Sequence, residues 1–145
     1  MVKIAAILDQ HSLDEQEQLM SHISSQLDEA RDLIIHTVTG AVSIEEVLST
    51  METYYTQQVT KYVLWDLSAA DMKLIHSEDL YKIIELAKMY GQLRPAGRTA
   101  IYGSRDVTFA IGRQLALLGE AYEQAFEISS FRNYDEAMEW LVPSS

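Results

Sequence analysis

The chain has no cysteine. That removes disulfides, thiolate nucleophiles and thiolate-bound zinc or iron–sulfur centres, and it fits a reducing, cytoplasmic setting. Long apolar runs are also missing. The N-terminal stretch "VKIAAIL" falls far short of the ~18 apolar residues that span a bilayer, and "DQHSLDEQEQ" after it carries no small-residue cleavage pattern, so no stable membrane association is expected. Basic residues are scarce. Eleven Lys and Arg stand against 22 Asp and Glu, giving a net charge of −11. Such a surface repels nucleic acid and anionic lipid, and the single local basic cluster, Arg94, Arg98 and Arg105, is interrupted by Pro95 and Gly97. No nucleic-acid partner is expected.

What is present describes a folded domain. Hydrophobic residues make up 48% and charged residues 23% of 145 positions, the ordinary globular mixture and enough chain for one core. With two prolines and six glycines, no linker or low-complexity stretch divides it. From Ser21 onward, short β-like runs alternate with helical periodicity, the pattern of an α/β domain. "SHISSQL" and "LIIHTVTG" flank the polar "DEARD" and predict an antiparallel hairpin across residues 28–31. A helix follows, opened by a Ser43/Glu46 capping box, with Ile44, Val47, Leu48, Met51 and Tyr55 on one stripe. "YVLWDL" reads as a central strand. The second helix is expected to be capped by Ser77 and to bury Leu80, Ile83, Ile84 and Ala87, ending near Gly91 before the loop "LRPAGR".

"TAIYG" is the next strand. Asp106 is expected to cap a third helix with Val107, Ala110, Ile111, Leu115, Leu118 and Tyr122 on its inner stripe, leaving Phe109 pointing elsewhere. "FEISSF" and the short helix "NYDEAMEWL", with Asn133 and Glu136 at capping-box spacing, close the chain. Right-handed crossovers would set these parallel strands in one sheet of about five, backed by helices. The expected core includes Leu64, Trp65, Ile83, Ile84, Ile101, Ile111, Leu118 and Met138. Residues 1–20 stand apart as an N-terminal arm or extra element, and residues 21–145 as a single α/β domain.

Asp66 lies toward the carboxyl end of the central strand, the edge where α/β sheets place ligands. "GSRD" follows the next strand at the same edge, so a ligand or anion site there would draw on Asp66, Tyr102, Ser104 and Arg105, with His76 nearby. The alternative is that Asp66 accepts backbone N–H groups in "SAAD" and organises a turn. No G-x-S-x-G, Walker loop, H-E-x-x-H or G-x-G-x-x-G occurs, so no catalytic residue and no cofactor site is assigned. A simple four-residue hairpin loop puts His22 and His36 on opposite faces, and two histidines without a third ligand make no metal site. Met72, Leu74 and Phe109 fit no core stripe and are the expected interface patch.

The run "GAVSIEEVLSTM", "YVLWDLSAAD", "HSEDLYKIIELAK", "RTAIYGSRDVTFAIGRQLALLGE" and "FEISSFRNYDEAMEWL" resembles the SpoIIAA-like group of the STAS (sulfate transporter and anti-sigma factor antagonist) superfamily, which includes uncharacterised bacterial proteins labelled STAS/SEC14-like. The resemblance covers about residues 21–142. It implies a small mixed sheet backed by helices and a non-enzymatic role in protein–protein signalling or in binding a small apolar or lipid-like ligand. In the anti-sigma antagonists a phosphorylatable Ser follows an Asp at the start of the helix after the central strand. Here the matching place reads "IHSEDL": Ser77 supplies the hydroxyl, but His76 replaces the Asp. A phosphate on Ser77 would also meet Glu78 and Asp79, so the helix-cap role is the expected one. The reading is therefore a STAS-like binding or signalling module, expected to be a homodimer or to hold a protein partner. A carrier of a small apolar ligand is the alternative, and an enzyme using Asp66 and His76 comes third.

Overall fold

A computed structural model describes residues 21–143. Five strands, β1 (His22–Asp28), β2 (Leu33–Ala41), β3 (Tyr62–Asp71), β4 (Arg98–Tyr102) and β5 (Glu127–Phe131), form one sheet in the order β1-β2-β3-β4-β5. β1 pairs antiparallel with β2 across a four-residue turn, and Asp32 takes the left-handed conformation (φ 52°) that closes it. The remaining strands are parallel. Between them run α1 (Ile44–Gln57), α2 (Ser77–Tyr90) and α3 (Asp106–Ala121), and α4 (Tyr134–Leu141) follows β5.

This topology fixes the layers. Each parallel step moves one place in the same direction across the sheet, so right-handed crossovers deliver α1, α2 and α3 to the same face. On that face Ile34, Val38, Val63, Leu67 and Ile101 of the strands meet Ile44 and Met51 of α1, Leu80 and Ile84 of α2, and Leu115 of α3. α4, which no strand follows among the described residues, lies on the opposite face, where Ala137 and Leu141 cover Leu33, Leu64 and Ala100. The alternation of buried sets along each strand follows the two-residue period of the pleat.

Most expected core residues lie where the periodicity placed them. Leu64, Ile84 and Ile101 are buried, while Trp65, Ile83, Ile111, Leu118 and Met138 are half-buried against the core clusters. Tyr54 joins the inner stripe of α1 beside Tyr55, and its hydroxyl donates to the Thr60 carbonyl at 2.7 Å.

Three local expectations are corrected. "SAAD" is not a turn: β3 continues through it to Asp71, with a register shift opposite Thr37–Thr39 that adds one residue to β3. Val107 is 65% exposed and Ala110 is exposed with it, because the inner face of α3 runs through Thr108, Gly112, Leu115 and Gly119. Asp106 begins that helix rather than capping it, and Arg105 occupies the cap position. Gly112 permits the close approach of α3 to the sheet. A Cβ built there would lie 3.0 Å from Ser130 Cβ and closer still to its Oγ, and the same Oγ donates to the Phe109 carbonyl at 3.1 Å. The expected arm, residues 1–20, lies outside the described residues.

Candidate functional site

The carboxyl edge of the parallel strands brings Asp66 and Tyr102 together as register partners on the α4 face. Asp66 is already occupied. Its Oδ1 accepts the Ser68 N–H at 3.0 Å and the Ser68 hydroxyl at 2.6 Å. Those bonds fall at the extra residue of β3, where a bulge takes a backbone donor out of the ladder, so the carboxylate supplies the acceptor that the neighbouring strand no longer offers. Tyr102 packs edge-on against Tyr134 at the start of α4, 5.8 Å between ring centres.

Among the described residues no hydrogen bond or ion pair joins the other expected members to Asp66. Ser104 is exposed and uses its carbonyl to accept Arg132 Nη1 at 3.2 Å, while Arg105 reaches the Ala70 carbonyl at 3.5 Å. His76 belongs to the opposite layer as the cap of α2, and no hydrogen bond or ion pair among the described residues joins it to Asp66. It also displaces Ser77 from the capping role, because Ser77 is the first helical residue and exposed. The helix start is closed instead by Asp79, a buried side chain whose carboxylate accepts the His76 N–H at 2.9 Å. A reciprocal Asp at the third helical position was there to be read in "HSED".

The expected apolar patch is not assembled. Met72 is 9% exposed and sits in the core with Val38 and Ile75, and Phe109 is half-buried under Arg132, whose guanidinium lies 4.3 Å from the ring centre. Arg132, which the sequence reading passed over, also pairs with Asp106 at 2.8 Å. Of the three patch residues Leu74 alone is open to solvent. The large apolar side chains that do face outward on α3 are Val107 and Leu117.

Two polar residues missed by sequence reasoning lie inside. His36 is buried on the three-helix face, its Nδ1 is 2.7 Å from Ser25 Oγ across the β1–β2 pair, and its ring lies 4.5 Å from Trp65. Burial first, and the Arg94 charge second, lower its pKa to about 4, so the ring is neutral near pH 7. The parity of Ile34, His36 and Val38 along β2 was the available signal. Arg94 itself is buried, and its guanidinium donates to the carbonyls of Thr60 (3.0 Å), Lys61 (2.9 Å) and Arg98 (2.9 Å) and to Thr99 Oγ1 (2.8 Å). Burial raises the Tyr55 phenol above its usual value, with Arg94 opposing. The expected basic cluster is thus dispersed: Arg94 is internal and Arg98 donates to the Trp140 carbonyl at 2.7 Å.

His36, Arg94 and Thr99 line a mostly apolar cavity of about 90 Å³ between the sheet and the three helices, with Met51, Trp65, Ile83 and Phe126 among its walls. Among the described residues no cluster of three or more His, Asp or Glu side chains could hold a metal ion, and no helix is long and apolar enough to cross a membrane.

No protein-family model matches the sequence, and no curated protein matches it. Solved structures do resemble the fold. An uncharacterised protein of the DUF3478 family with a SpoIIAA-like fold, from Shewanella loihica PV-4, is 15% identical, with 83% of this chain and 93% of that one covered and a TM-score of 0.51. An anti-sigma factor antagonist from Mycobacterium paratuberculosis is 13% identical, with 84% and 94% covered and a TM-score of 0.56. The five-stranded mixed sheet with three helices on one face and the last helix on the other is a SpoIIAA-like fold, as the sequence resemblance implied.

Proposed function

We propose that the chain is a non-enzymatic STAS-like interaction or signalling module of the cytoplasm, working through protein–protein contact. The observation that carries this reading is the outward side of α3, where Val107 and Leu117 are 65% and 58% exposed on a helix whose other side is firmly seated on the sheet. Large apolar side chains held out on a rigid element are what a partner surface uses as anchors. The likeness to an anti-sigma factor antagonist agrees with that use. The carboxylate best placed for chemistry, Asp66, is engaged with its own backbone. Ser77 as a phosphoacceptor is opposed by the adjacent Glu78 and by Asp79.

The internal cavity favours a second reading, retention of a small apolar molecule. At about 90 Å³ it is well below the roughly 300–1,000 Å³ of pockets that take drug-sized ligands, so a lipid-length chain would require the helices to part. Native mass spectrometry of protein purified from its own host separates the two. Protein assemblies without added small mass are expected. A stoichiometric small molecule on a chain that forms no assembly overturns the interaction reading in favour of the carrier.

A further inference from the structure

Successive residues of a helix turn by about 100°, so Val107, Ala110, Gln114, Leu117 and Ala121 share one outward strip of α3. All five are exposed. The charged residues of this helix, Asp106, Arg113 and Glu120, recur every seven positions along a single flank of the strip. Asp106 is held by Arg132, whereas Arg113 and Glu120 have no ion-pair partner among the described residues. The strip is therefore apolar apart from Gln114 and carries, on one side, one charge of each sign with no ion-pair partner among the described residues.

We propose that this strip is the contact of a two-fold homodimer, in which α3 packs antiparallel against α3 of a second copy. The proposal rests on the interaction reading and names the partner. A two-fold interface sets the same patch against itself, so it must be complementary to its own inverse. A two-fold axis that swaps two antiparallel helices keeps each flank on its own side, and centring it on Leu117 puts Arg113 of each copy beside Glu120 of the other. Opposite charges then meet twice, the two Leu117 side chains meet near the axis, and Ala121 leaves room for the backbones to approach. A flank of one sign would have repelled a second copy and selected a partner of opposite charge. Alternation at seven-residue spacing selects the chain itself.

Sedimentation velocity over a concentration series tests this with the full-length chain. Wild type is expected to dimerise, Leu117→Glu to be monomeric, and Arg113→Glu or Glu120→Arg alone to weaken the dimer by at least about tenfold. Combining the two reversals restores complementarity and is expected to return the dissociation constant to within about threefold of wild type. Far-UV circular dichroism and melting confirm that each variant is folded. A monomeric wild type, or a dimer indifferent to Leu117→Glu and to the charge reversals, overturns the proposal. A monomer that binds a different protein through Leu117 overturns it while leaving the interaction reading intact.

Discussion

A buried imidazole next to a guanidinium is a source of acid sensitivity. His36 binds its proton with a pKa of about 4 when folded and 6.5 when free. Between those values the unfolded chain holds more protons, so stability is complete above pH 6.5, falls as the pH drops toward 4, and levels off below it. The full effect is about 3 kcal/mol, of which about 2 kcal/mol is lost between about pH 7 and pH 5, above the range where most carboxylates titrate. Urea denaturation at the two pH values should show that loss in wild type and little of it in His36→Gln; equal losses would remove His36 as the cause. This residue was half legible in the sequence. Its parity with Ile34 and Val38 pointed inward, but nothing local announced Ser25 or Arg94. Arg94 was illegible for a related reason. Its acceptors on Thr60 and Lys61 lie more than thirty positions earlier, and a guanidinium in a polar-looking loop gives no local sign that a distant turn will wrap it.

Among the elements, α2 and α3 carry the sharpest expectations. If Asp79 closes the start of α2, Asp79→Ala should cost about 1–2 kcal/mol, while Ser77→Ala should stay within about 0.5 kcal/mol of wild type in denaturation midpoint. The reverse ranking would return the cap to Ser77. On α3, Gly112→Ala gains about 1 kcal/mol in helix propensity, yet its new methyl group meets Ser130, so a net loss of about 1–3 kcal/mol is expected. Ser130→Gly on the same chain should relieve it, and a thermal melt in which the double variant falls by the sum of the singles would show that the contact is not the cause. Elements existed where periodicity put them because a 3.6-residue stripe is a property of the segment itself. Their first residues were misplaced by one at Ser77 and at Asp106, where several polar side chains compete for one cap and tertiary contact chooses among them.

For the molecule as a whole, a net charge of −11 on each copy opposes self-association at long range. Salt screens that repulsion over a Debye length of about 30 Å at 0.01 M and about 8 Å at 0.15 M, whereas close Arg113–Glu120 pairs are weakened far less. Dimerisation should therefore strengthen as ionic strength rises from low to physiological. Sedimentation profiles showing the opposite trend would mean that the ion pairs outweigh the repulsion between the two acidic bodies. The architecture was the most legible level, since four strand-then-helix steps and the handedness of crossovers leave few arrangements. Detail at the sheet edge was less legible: Asp66 was read as the end of a strand that runs on to Asp71, and a one-residue bulge cannot be seen in hydrophobic pattern.

Strand order and chain order coincide in this sheet, and that has a bearing on how the protein is made. As the polypeptide emerges during synthesis, each new strand finds its neighbour in the strand completed just before it, so no half-built sheet must hold a slot open for a segment still to come. The exception is α4, which reaches back to Leu33 and Leu64. Until α4 is released, one apolar side of the growing sheet stays uncovered, and the nascent chain is vulnerable to aggregation for as long as that helix is missing.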